Sequence, residues 1–341
     1  MTTTAFVLTR NGSAMEAFKL QSISLPALSE TQVLVDVEAF GLNYADVMAR
    51  RGLYREAPAM PCVIGYEVVG KIAAVGSKLD QSLIGKRVVA FCRFGGYAKH
   101  VITESYAFVE IDAMEAGTAL ALATQFVTAY YMVERSANVH AGENVLIHAA
   151  AGGVGTALIQ LCKAKGARVI AKVSSESKSA LVKQLGADEV INYKKTPYQN
   201  ALDQFLQNER LDVSFNPVAG STFKIDFRYL GTGGRLVLFG GSELVGGKWG
   251  IFSKLNFVRK MGFVVPIGLM MRSKSISGVN MLKIADYKPH VLTQCLQAVV
   301  ELAKQQAIQP IIGGEFTAET FSDAHNQLEA GTTIGKLIVR W

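Results

Sequence analysis

The stretch HAAAGGVG, residues 148–155, decides the fold of this chain. It follows the apolar run NVLIH and leads into GTALIQL, after which a second apolar run, RVIAKV, begins. Strand, glycine-rich turn, helix and strand form a βαβ unit, in which glycine lets the backbone bend sharply and approach a ligand closely. The free N–H groups at the start of the helix suit an anion. The pattern predicts that the pyrophosphate of a dinucleotide binds at Gly152, Gly153, Val154 and Gly155, with alanine replacing the first glycine of the GxGxxG motif.

Strands and helices keep alternating after this unit. The helical patterns ESKSALVKQLG and PYQNALDQFLQN separate the strand-like runs EVINY, LDVSFN and RLVLFG. Such alternation is typical of βαβ units that build a parallel sheet covered by helices. We therefore expect an α/β fold with a Rossmann-type, doubly wound parallel sheet over residues 123–265.

The N-terminal third is rich in short β-type runs instead. In QVLVDVEAF, apolar residues stand at every second position from Val33 to Ala39, as in a half-buried strand. Near the C-terminus a long helical segment, about Pro289–Gln305, precedes a closing strand, GKLIVRW. We expect residues 1–122 and 266–341 to form one β-rich, partly barrel-like domain that the C-terminus completes.

The end of the second strand, SSESK, indicates which dinucleotide binds. NAD sites usually carry an acidic residue there, about 20 residues after the glycines, for the ribose 2′-hydroxyl. Ser174 and Ser175 occupy this position and Lys178 follows, and these side chains suit a 2′-phosphate better than a diol. Glu176 argues the other way, although it lies beyond the strand. Ser174 and Ser175 also fit a helix N-cap, and the two roles are compatible. We expect NADPH as the coenzyme.

Composition limits the class of protein and its partners. The chain is 50% hydrophobic and 18% charged, which is typical of a folded globular protein. It lacks an apolar run of about 20 residues and a signal-peptide pattern, so we expect a soluble, cytoplasmic protein. The four cysteines have no metal-binding spacing and are expected as reduced, packed thiols. The net charge is +7, but the basic residues are dispersed, so we expect no nucleic-acid binding; an anionic cofactor or surface explains the bias.

Several motifs together resemble the medium-chain dehydrogenase/reductase superfamily, in its zinc-free quinone oxidoreductase branch. They are, in chain order, GLNYADVMARRGLY, PCVIGYEVVGKIAAVG, TAYYMV, HAAAGGVGTALIQLCKAKGA, LGADEVINY, GGRLVLFG and GTTIGKLIVRW. They span almost the full length and keep the family's order. Within the branch, the segment after LVLFGG is similar to the vesicle amine transport protein homologues and their bacterial relatives. The resemblance implies that the β-rich domain is a GroES-like catalytic domain.

The resemblance also implies chemistry without zinc. Zinc-dependent members carry a cysteine where this chain has Asn43 and a histidine where it has Tyr66, and nothing here matches their four-cysteine lobe. A zinc site needs three or four Cys, His or carboxylate ligands, so we expect no metal. A conjugated carbonyl accepts hydride without a Lewis acid. The implied activity is that of an NADPH-dependent quinone oxidoreductase or enone reductase, which transfers hydride to a quinone or an α,β-unsaturated carbonyl.

Two other interpretations remain open. One is an NADPH-binding protein with little turnover, which acts at a membrane surface or through a protein partner. The other is an enoyl reductase for thioester substrates, which requires an acyl tunnel. The resemblance further implies a homodimer.

The resemblance assigns the coenzyme contacts residue by residue. Besides the four residues of the glycine turn, Ser174 and Lys178 are expected at the 2′-phosphate and Tyr193 at the adenine-side ribose. Thr128, Phe239 and Gly240 are expected to flank the nicotinamide half, and the backbone of Gly278 and Asn280 is expected to contact its carboxamide. Lys336, also counted among the coenzyme residues, is expected to close the cleft from the C-terminal tail.

The acceptor side is expected to involve Asn43 and Tyr54, which orient the acceptor or donate a hydrogen bond to it. The alternative roles are a turn asparagine and a core aromatic. Asp46 either anchors a loop through Arg50 or Arg51 or contacts a ligand. Asn216 stands where the branch commonly has Asp, so no polar role can be carried over to it.

One segment, residues 248–271, joins bulky apolar residues to Lys248, Lys254, Arg259 and Lys260. At helical spacing its apolar side chains form one face and its basic side chains another, as in helices that lie in an anionic membrane interface. A lid over the substrate site and a subunit contact are the alternatives. A peripheral membrane contact of this segment, a small-molecule quinone or enone substrate and a homodimer are thus the expected partners.

Overall fold

A computed structural model describes residues 1–244 and 250–341. In chain order the strands are β1 (Thr2–Leu8), β2 (Phe18–Ser24), β3 (Gln32–Leu42), β4 (Cys62–Val63), β5 (Glu67–Val75), β6 (Arg87–Phe91), β7 (His100–Glu104), β8 (Phe108–Glu110), β9 (Asn144–Ile147), β10 (Arg168–Val173), β11 (Glu189–Asn192), β12 (Leu211–Asn216), β13 (Leu230–Leu238), β14 (Ser275–Gly278), β15 (Ile312–Thr317) and β16 (Lys336–Arg340).

The helices, again in chain order, are α1 (Ala14–Ala17), α2 (Tyr44–Arg50), α3 (Ala116–Ala121), α4 (Val127–Tyr131), α5 (Gly153–Ala164), α6 (Glu176–Gln184), α7 (Tyr198–Leu206), α8 (Gly220–Tyr229), α9 (Gly250–Met261), α10 (Pro266–Arg272), α11 (Met281–Tyr287), α12 (Pro289–Lys304) and α13 (Phe321–Glu329). No helix in the described part of the chain combines the length and the apolar character needed to cross a bilayer.

The chain divides into two compact units. The first contains Met1–Val127 and Met281–Trp341, and the second contains Thr128–Asn280. The predicted boundaries, 122/123 and 265/266, differ from these. Strand β14, which the sequence assigned to the β-rich domain, pairs in parallel with β13, with Leu238 opposite Gly278. It therefore belongs to the second unit.

The first unit is built on a seven-stranded sheet in which β15, β16, β3, β5, β6 and β8 follow one another and β7 pairs with β3. Strand β16 runs antiparallel to β3, so the C-terminal strand completes a sheet that the N-terminal third begins. A second sheet has the order β2-β1-β4. Aromatic rings fill the core, among them Phe6 and Phe321, which stack with their centroids 4.1 Å apart.

The second unit contains one six-stranded parallel sheet, with the order β11-β10-β9-β12-β13-β14. Counted from β9, this is the order 3-2-1-4-5-6 of a doubly wound dinucleotide-binding sheet. All four residues of β9 are buried, as expected for a strand covered on both faces. The predicted Rossmann-type architecture is confirmed.

Several elements differ from the sequence-based expectation. The predicted strands around LDVSFN and RLVLFG are joined by α8, whose sequence, GSTFKIDFRY, contains β-branched and aromatic residues and no strong helical pattern. The C-terminal region contains α11, β15 and α13 besides the predicted helix and closing strand. These elements are short, and their few apolar positions give too weak a periodicity to predict them.

Candidate active site

The predicted coenzyme residues of the second unit gather at one edge of its sheet. In a parallel sheet the carboxyl ends of the strands share an edge, and ligands bind outside it where the strand order reverses. That reversal lies between β9 and β12. The glycine turn follows β9, Ser174 follows β10, Tyr193 follows β11 and Phe239 with Gly240 follows β13. Gly278 ends β14, and Asn280 comes two residues later, whereas Thr128 lies on helix α4.

The glycine turn is tight because its last glycine touches the start of the turn. Gly152 is the N-cap residue of α5. A Cβ added at Gly155 would lie 2.6 Å from both Cα and O of Ala150 and would also clash with the carbonyl oxygen of Ala149. The first turn of α5 therefore packs directly on the backbone that leaves β9. Its N–H groups have no partners within the helix and are placed to hold an anion.

Positive charge collects beside the ends of β10 and β11. Lys178 lies in the first turn of α6, and its N–H donates to the N-cap hydroxyl of Ser175 at 3.3 Å. The backbone N–H of Tyr193 donates to the carbonyl of Val173 at 3.1 Å, which brings Tyr193 next to Ser174. Burial and the nearby charge of Lys194 lower the pKa of Lys178. The two lysines therefore give this part of the second unit a positive charge.

Glu176, the acidic residue that favours NAD, pairs with a lysine. Its carboxylate forms an exposed ion pair with Lys195 at 2.7 Å. The alternative role of Ser175 as a helix N-cap is confirmed by its bond to Lys178, and this cap leaves Ser174 as the serine at the strand end.

A buried polar network lies directly behind the glycine turn. Asp226 on α8 is completely buried. It accepts from Ser214 Oγ at 2.8 Å, from Asn216 Nδ2 at 2.5 Å and from His148 Nε2 at 3.0 Å. The Oδ1 atom of Asn216 in turn accepts the backbone N–H groups of Val218 and Ala219, both at 2.8 Å. The network therefore ties the ends of β9 and β12 to α8.

In the first unit, Asn43 is held in a buried ion-pair site. Its Nδ2 donates to both carboxylate oxygens of Glu67, at 2.9 and 2.8 Å, and its Oδ1 accepts from Lys336 Nζ at 3.1 Å. Lys336 Nζ also contacts Glu67 and donates to the carbonyl of Leu42 at 3.1 Å. The side chains of Glu67 and Lys336 are both fully buried. A Cβ at Gly41 would collide with both, so glycine makes room for the pair.

This arrangement gives Lys336 partners within the protein, and its place at the coenzyme stays a prediction. Its ammonium group is completely buried and has three acceptors within the protein, one for each of its protons. The lysine therefore orients Asn43 and neutralises Glu67. Asn43 also begins helix α2, so its alternative role at a turn holds together with its place in the ion-pair site.

The expectation that Asp46 pairs with a neighbouring arginine is wrong. Arg50 and Arg51 both bind Glu329, at 2.5 and 2.6 Å. Asp46 instead caps α2, because its Oδ2 accepts the backbone N–H of Asn43 at 2.8 Å. Its other suggested role, contact with a ligand, stays a prediction.

Tyr54 is the half-buried member of a group of four side chains that we call the acid–tyrosine cluster: Asp46, Tyr54, Tyr66 and Tyr97. The rings of Tyr54 and Tyr66 meet edge to face, with centroids 6.4 Å apart. Asp46 Oδ1 and the hydroxyls of Tyr66 and Tyr97 are buried and have no hydrogen-bond partner among the described residues. Burial raises the pKa of Tyr54 above 10, so its hydroxyl stays protonated and can donate.

Sequence reasoning missed Glu67, Thr124 and Tyr97. Thr124 Oγ1 donates to Glu67, and Tyr97 closes the cluster on the side of Asp46. The signal for Glu67 was a charged residue inside the apolar strand pattern EVVG, and Lys336 breaks the closing strand in the same way. Opposite charges in two buried strands predict an ion pair, but they do not tell which strands of the sheet are neighbours.

Metal ligands do not gather at this site. Among residues 1–244 and 250–341, no group of three or more His, Cys, Asp and Glu side chains is arranged to hold a metal ion. Asn43 and Tyr66, at the positions of two zinc ligands in zinc-dependent relatives, offer an amide and a phenol, which zinc seldom accepts.

Comparisons with known proteins agree with this architecture. Residues 29–133 match the family described as "Alcohol dehydrogenase GroES-like domain", and residues 153–297 match "Zinc-binding dehydrogenase". The chain is 31% identical over 330 residues to the quinone oxidoreductase of Rattus norvegicus, covering 95% of this chain and 94% of the relative. It is 30% identical over 338 residues to the synaptic vesicle membrane protein VAT-1 homolog of Danio rerio, covering 98% and 69%.

Solved structures have the same fold over the whole chain. Mycobacterial Rv1454c complexed with NADPH matches with a TM-score of 0.85 and 26% identity, covering 99% of this chain and 100% of that one. The Escherichia coli quinone oxidoreductase complexed with NADPH matches with a TM-score of 0.86 and 24% identity, covering 99% and 100%.

The GroES-like unit and the doubly wound dinucleotide-binding unit define the alcohol dehydrogenase class of oxidoreductases. Within that class, the chain belongs to the medium-chain dehydrogenase/reductase superfamily, in its quinone oxidoreductase branch.

Proposed function

We propose that this protein uses NADPH to reduce a quinone or an α,β-unsaturated carbonyl without a metal ion. The observation that carries the coenzyme assignment is the position of two lysines near the end of β10: Lys178 lies in the first turn of α6, and Lys194 follows β11. The charge of Lys194 lowers the pKa of Lys178. Such a pair favours a 2′-phosphate, and the one acid nearby, Glu176, is bound by Lys195. NADPH, when bound, supplies the hydride.

The glycine turn fits the pyrophosphate of this coenzyme. The contact of Gly155 with Ala150 leaves no space for a side chain, so the first N–H groups of α5 stay close to the turn. A bound phosphate can approach this bare backbone directly. We infer that Tyr193 packs at the adenine-side ribose, and that Phe239, Gly240, Gly278, Asn280 and Thr128 contact the nicotinamide half.

On the acceptor side we assign the proton-donating role to Tyr54. Hydride addition to a quinone or an enone leaves an anion that must be protonated. Tyr54 is half-buried and remains a phenol at every physiological pH. Asn43 has both ends of its amide engaged by Glu67 and Lys336, so we infer that it fixes the acceptor-side wall rather than moving a proton.

The test is rapid mixing of the protein and NADPH with a quinone and, separately, with an alkenal, followed by the loss of reduced-coenzyme absorbance. We expect turnover of at least one acceptor, and a Tyr54→Phe variant that loses about 100-fold or more in the protonation step. Unchanged absorbance across a broad panel of both acceptor classes would overturn the proposal and favour a coenzyme-binding protein without turnover.

A second function is favoured by one surface of the second unit. From Gly250 to Asn280 the chain has no acidic residue and five basic ones: Lys254, Arg259, Lys260, Arg272 and Lys274. In the same stretch large apolar side chains are exposed, and Phe263 is 96% exposed. We call this the basic apolar surface; its other exposed members are Leu255, Val258, Val264, Val265, Ile267, Met270 and Met271.

We infer that an anionic membrane covers the basic apolar surface. Helix α10 has no buried residue, so it contributes little to the core of its own unit. Apolar side chains flanked by bases are complementary to lipid and to negative headgroups. A second copy of this surface would instead bring like charges together. Lys248 and Trp249, which also belong to the predicted segment, lie outside the described residues.

Vesicle sedimentation tests this inference. We expect the protein to sediment with phosphatidylserine-containing vesicles and not with phosphatidylcholine vesicles, and a Phe263→Ser, Ile267→Ser variant to stay in the supernatant. Leu20→Ser, at an exposed apolar position of the other unit, is the control. If the first variant instead turns a dimer into a monomer, as measured by light scattering, the surface is a subunit contact. The homodimer and the lid stay predictions.

A further inference from the structure

The acid–tyrosine cluster contains an ionisable group for which the proposed function has no role. Asp46 is completely buried. Its Oδ2 accepts the N–H of Asn43 at 2.8 Å, whereas its Oδ1 has no hydrogen-bond partner among the described residues. Burying a carboxylate with unmet acceptors is unfavourable, and protonation reduces that penalty because it removes the charge.

The groups packed around Asp46 set its proton affinity near neutrality. Burial is the main cause that raises the pKa of Asp46 to about 7. The Asn43 N–H opposes this shift, Glu67 on β5 adds to it, and the Tyr97 hydroxyl and Lys336 on β16 oppose it. The pKa values of Tyr54, Tyr66 and Tyr97 are all raised, first by burial. Within the cluster, Asp46 is therefore the group that exchanges a proton around pH 7.

The tyrosines connect this acid to Tyr54. The negative charge of Asp46 raises the pKa of Tyr66 and of Tyr54, so both phenols lie within its field. The hydroxyls of Tyr54 and Tyr66 influence each other's pKa through a close approach, although neither this pair nor Tyr97 with Asp46 meets hydrogen-bond geometry. The hydroxyl of Tyr66 and Oδ1 of Asp46 are both buried without a hydrogen-bond partner among the described residues, and the rings of Tyr54 and Tyr66 meet edge to face.

We propose that Asp46 is the proton store of the reaction and resupplies Tyr54 through the hydroxyl of Tyr66. The inference rests on the proposed function. After hydride addition, the anionic acceptor takes a proton from Tyr54 Oη, and its new bond to hydrogen replaces the O–H bond of the phenol. The Tyr54 phenolate then takes a proton from Tyr66, and Tyr66 takes one from the Asp46 carboxyl. Asp46 is left as a carboxylate, and after the product leaves it regains a proton that enters from solvent at the half-buried Tyr54 and returns through Tyr66. No electrons move beyond the hydride pair.

The first experiment uses the protein without coenzyme. Infrared difference spectra between pH 5 and 9 should contain a protonated-carboxyl band that disappears around pH 7 and is absent in Asp46→Asn. This variant keeps an oxygen that can accept the Asn43 N–H. Asp80→Asn, at an exposed aspartate that also caps a helical turn, is the matched control and should keep the band. If the wild type shows no protonated-carboxyl band that disappears between pH 5 and 9, the proposal is overturned.

The second experiment measures the pH profile of kcat. We expect the wild-type rate to fall about tenfold from pH 6 to pH 8, as the store loses its proton. Asp46→Asn should give a flat profile at or below the lower wild-type rate, and Tyr66→Phe should do the same although it retains the infrared band. A structural role alone would lower the rate without flattening the profile.

The outcomes separate the two proposals. A wild type without turnover overturns the proposed function and, with it, this inference. If Asp46→Asn or Tyr66→Phe turns over with the same fall of kcat from pH 6 to pH 8 as the wild type, only the proton store is overturned. If Asp46→Asn fails to fold, the Tyr66→Phe profile and the wild-type band decide.

Discussion

At the scale of single residues, the neighbours of Asn216 account for an amide at this position, where the resemblance implies an aspartate. The amide gives two donors and one acceptor, and each has a partner here: Nδ2 faces Asp226 and Thr222, and Oδ1 faces two backbone N–H groups. An aspartate would present a second carboxylate to Asp226, which is completely buried. The buried carboxylate of Asp226 therefore favours asparagine over aspartate at position 216.

Asn216→Asp should accordingly destabilise the protein. Two adjacent buried carboxylates cannot both ionise, and an uncompensated buried charge costs about 3–5 kcal/mol. Urea unfolding should give this loss at pH 8 and a smaller one at pH 5, where one carboxyl is protonated. Asn326→Asp, on the exposed face of α13, is the control. Equal stability of wild type and variant at both pH values would contradict the network.

A second residue, His325, is buried in the aromatic core without any polar partner. Its ring packs on Phe18 and Phe321, and neither ring nitrogen has a hydrogen bond among the described residues. Burial, and then the charge of Arg50, lower its pKa to about 3. In the unfolded chain the same group titrates near 6.5.

His325→Leu should therefore stabilise the protein, most of all in acid. Below pH 6.5, His325 binds a proton in the unfolded wild type but not in the folded state. The free energy of unfolding of the wild type therefore falls as the pH falls toward 3. The variant should gain about 1–3 kcal/mol at pH 8. The difference should grow by about 1.4 kcal/mol for each further pH unit below 6.5. If the free energies of unfolding in urea of wild type and variant differ by the same amount at every pH, the buried, neutral histidine is contradicted. His290→Leu, at an exposed site, is the control.

At the scale of elements, the β9–α5 connection determines the coenzyme site. Its three parts have separate causes: a fully buried strand, a turn without side chains and a helix that starts against the strand end. Sequence pattern predicts each part, because each depends on neighbours in the chain. The contact between Gly155 and Ala150 gives the turn its shape.

Gly155→Ala should impair both stability and coenzyme binding. The added methyl group has no space beside Ala149 and Ala150, so the turn must shift, at a cost of about 1–3 kcal/mol. Calorimetry with NADPH should record an affinity lower by tenfold or more. Gly268→Ala on α10, where a Cβ meets nothing within 4 Å, should keep wild-type affinity. Wild-type affinity in Gly155→Ala would contradict the proposed pyrophosphate site.

For the whole molecule, the coenzyme half was easier to predict than the acceptor half. The residues at the ends of β9, β10, β11, β13 and β14 lie together because the strands are parallel, which alternation in the sequence predicts. The Asn43–Glu67–Lys336 site joins three distant parts of the chain through antiparallel pairing of β16 with β3 and of β3 with β5. No local pattern determines that pairing, so the sequence predicts neither the contact of Lys336 with Asn43 nor the part that Glu67 plays in this site.

We propose that the second unit selects a coenzyme with a 2′-phosphate. Titration calorimetry of NADPH and NADH against wild type, Lys178→Ala and the exposed control Lys19→Ala tests it most directly. We expect wild type and Lys19→Ala to bind NADPH more tightly than NADH. Lys178→Ala should lose about 1.5–3 kcal/mol of NADPH binding, roughly 10- to 150-fold, and keep its affinity for NADH. Equal wild-type affinities for the two coenzymes, or tighter binding of NADH, would contradict the account.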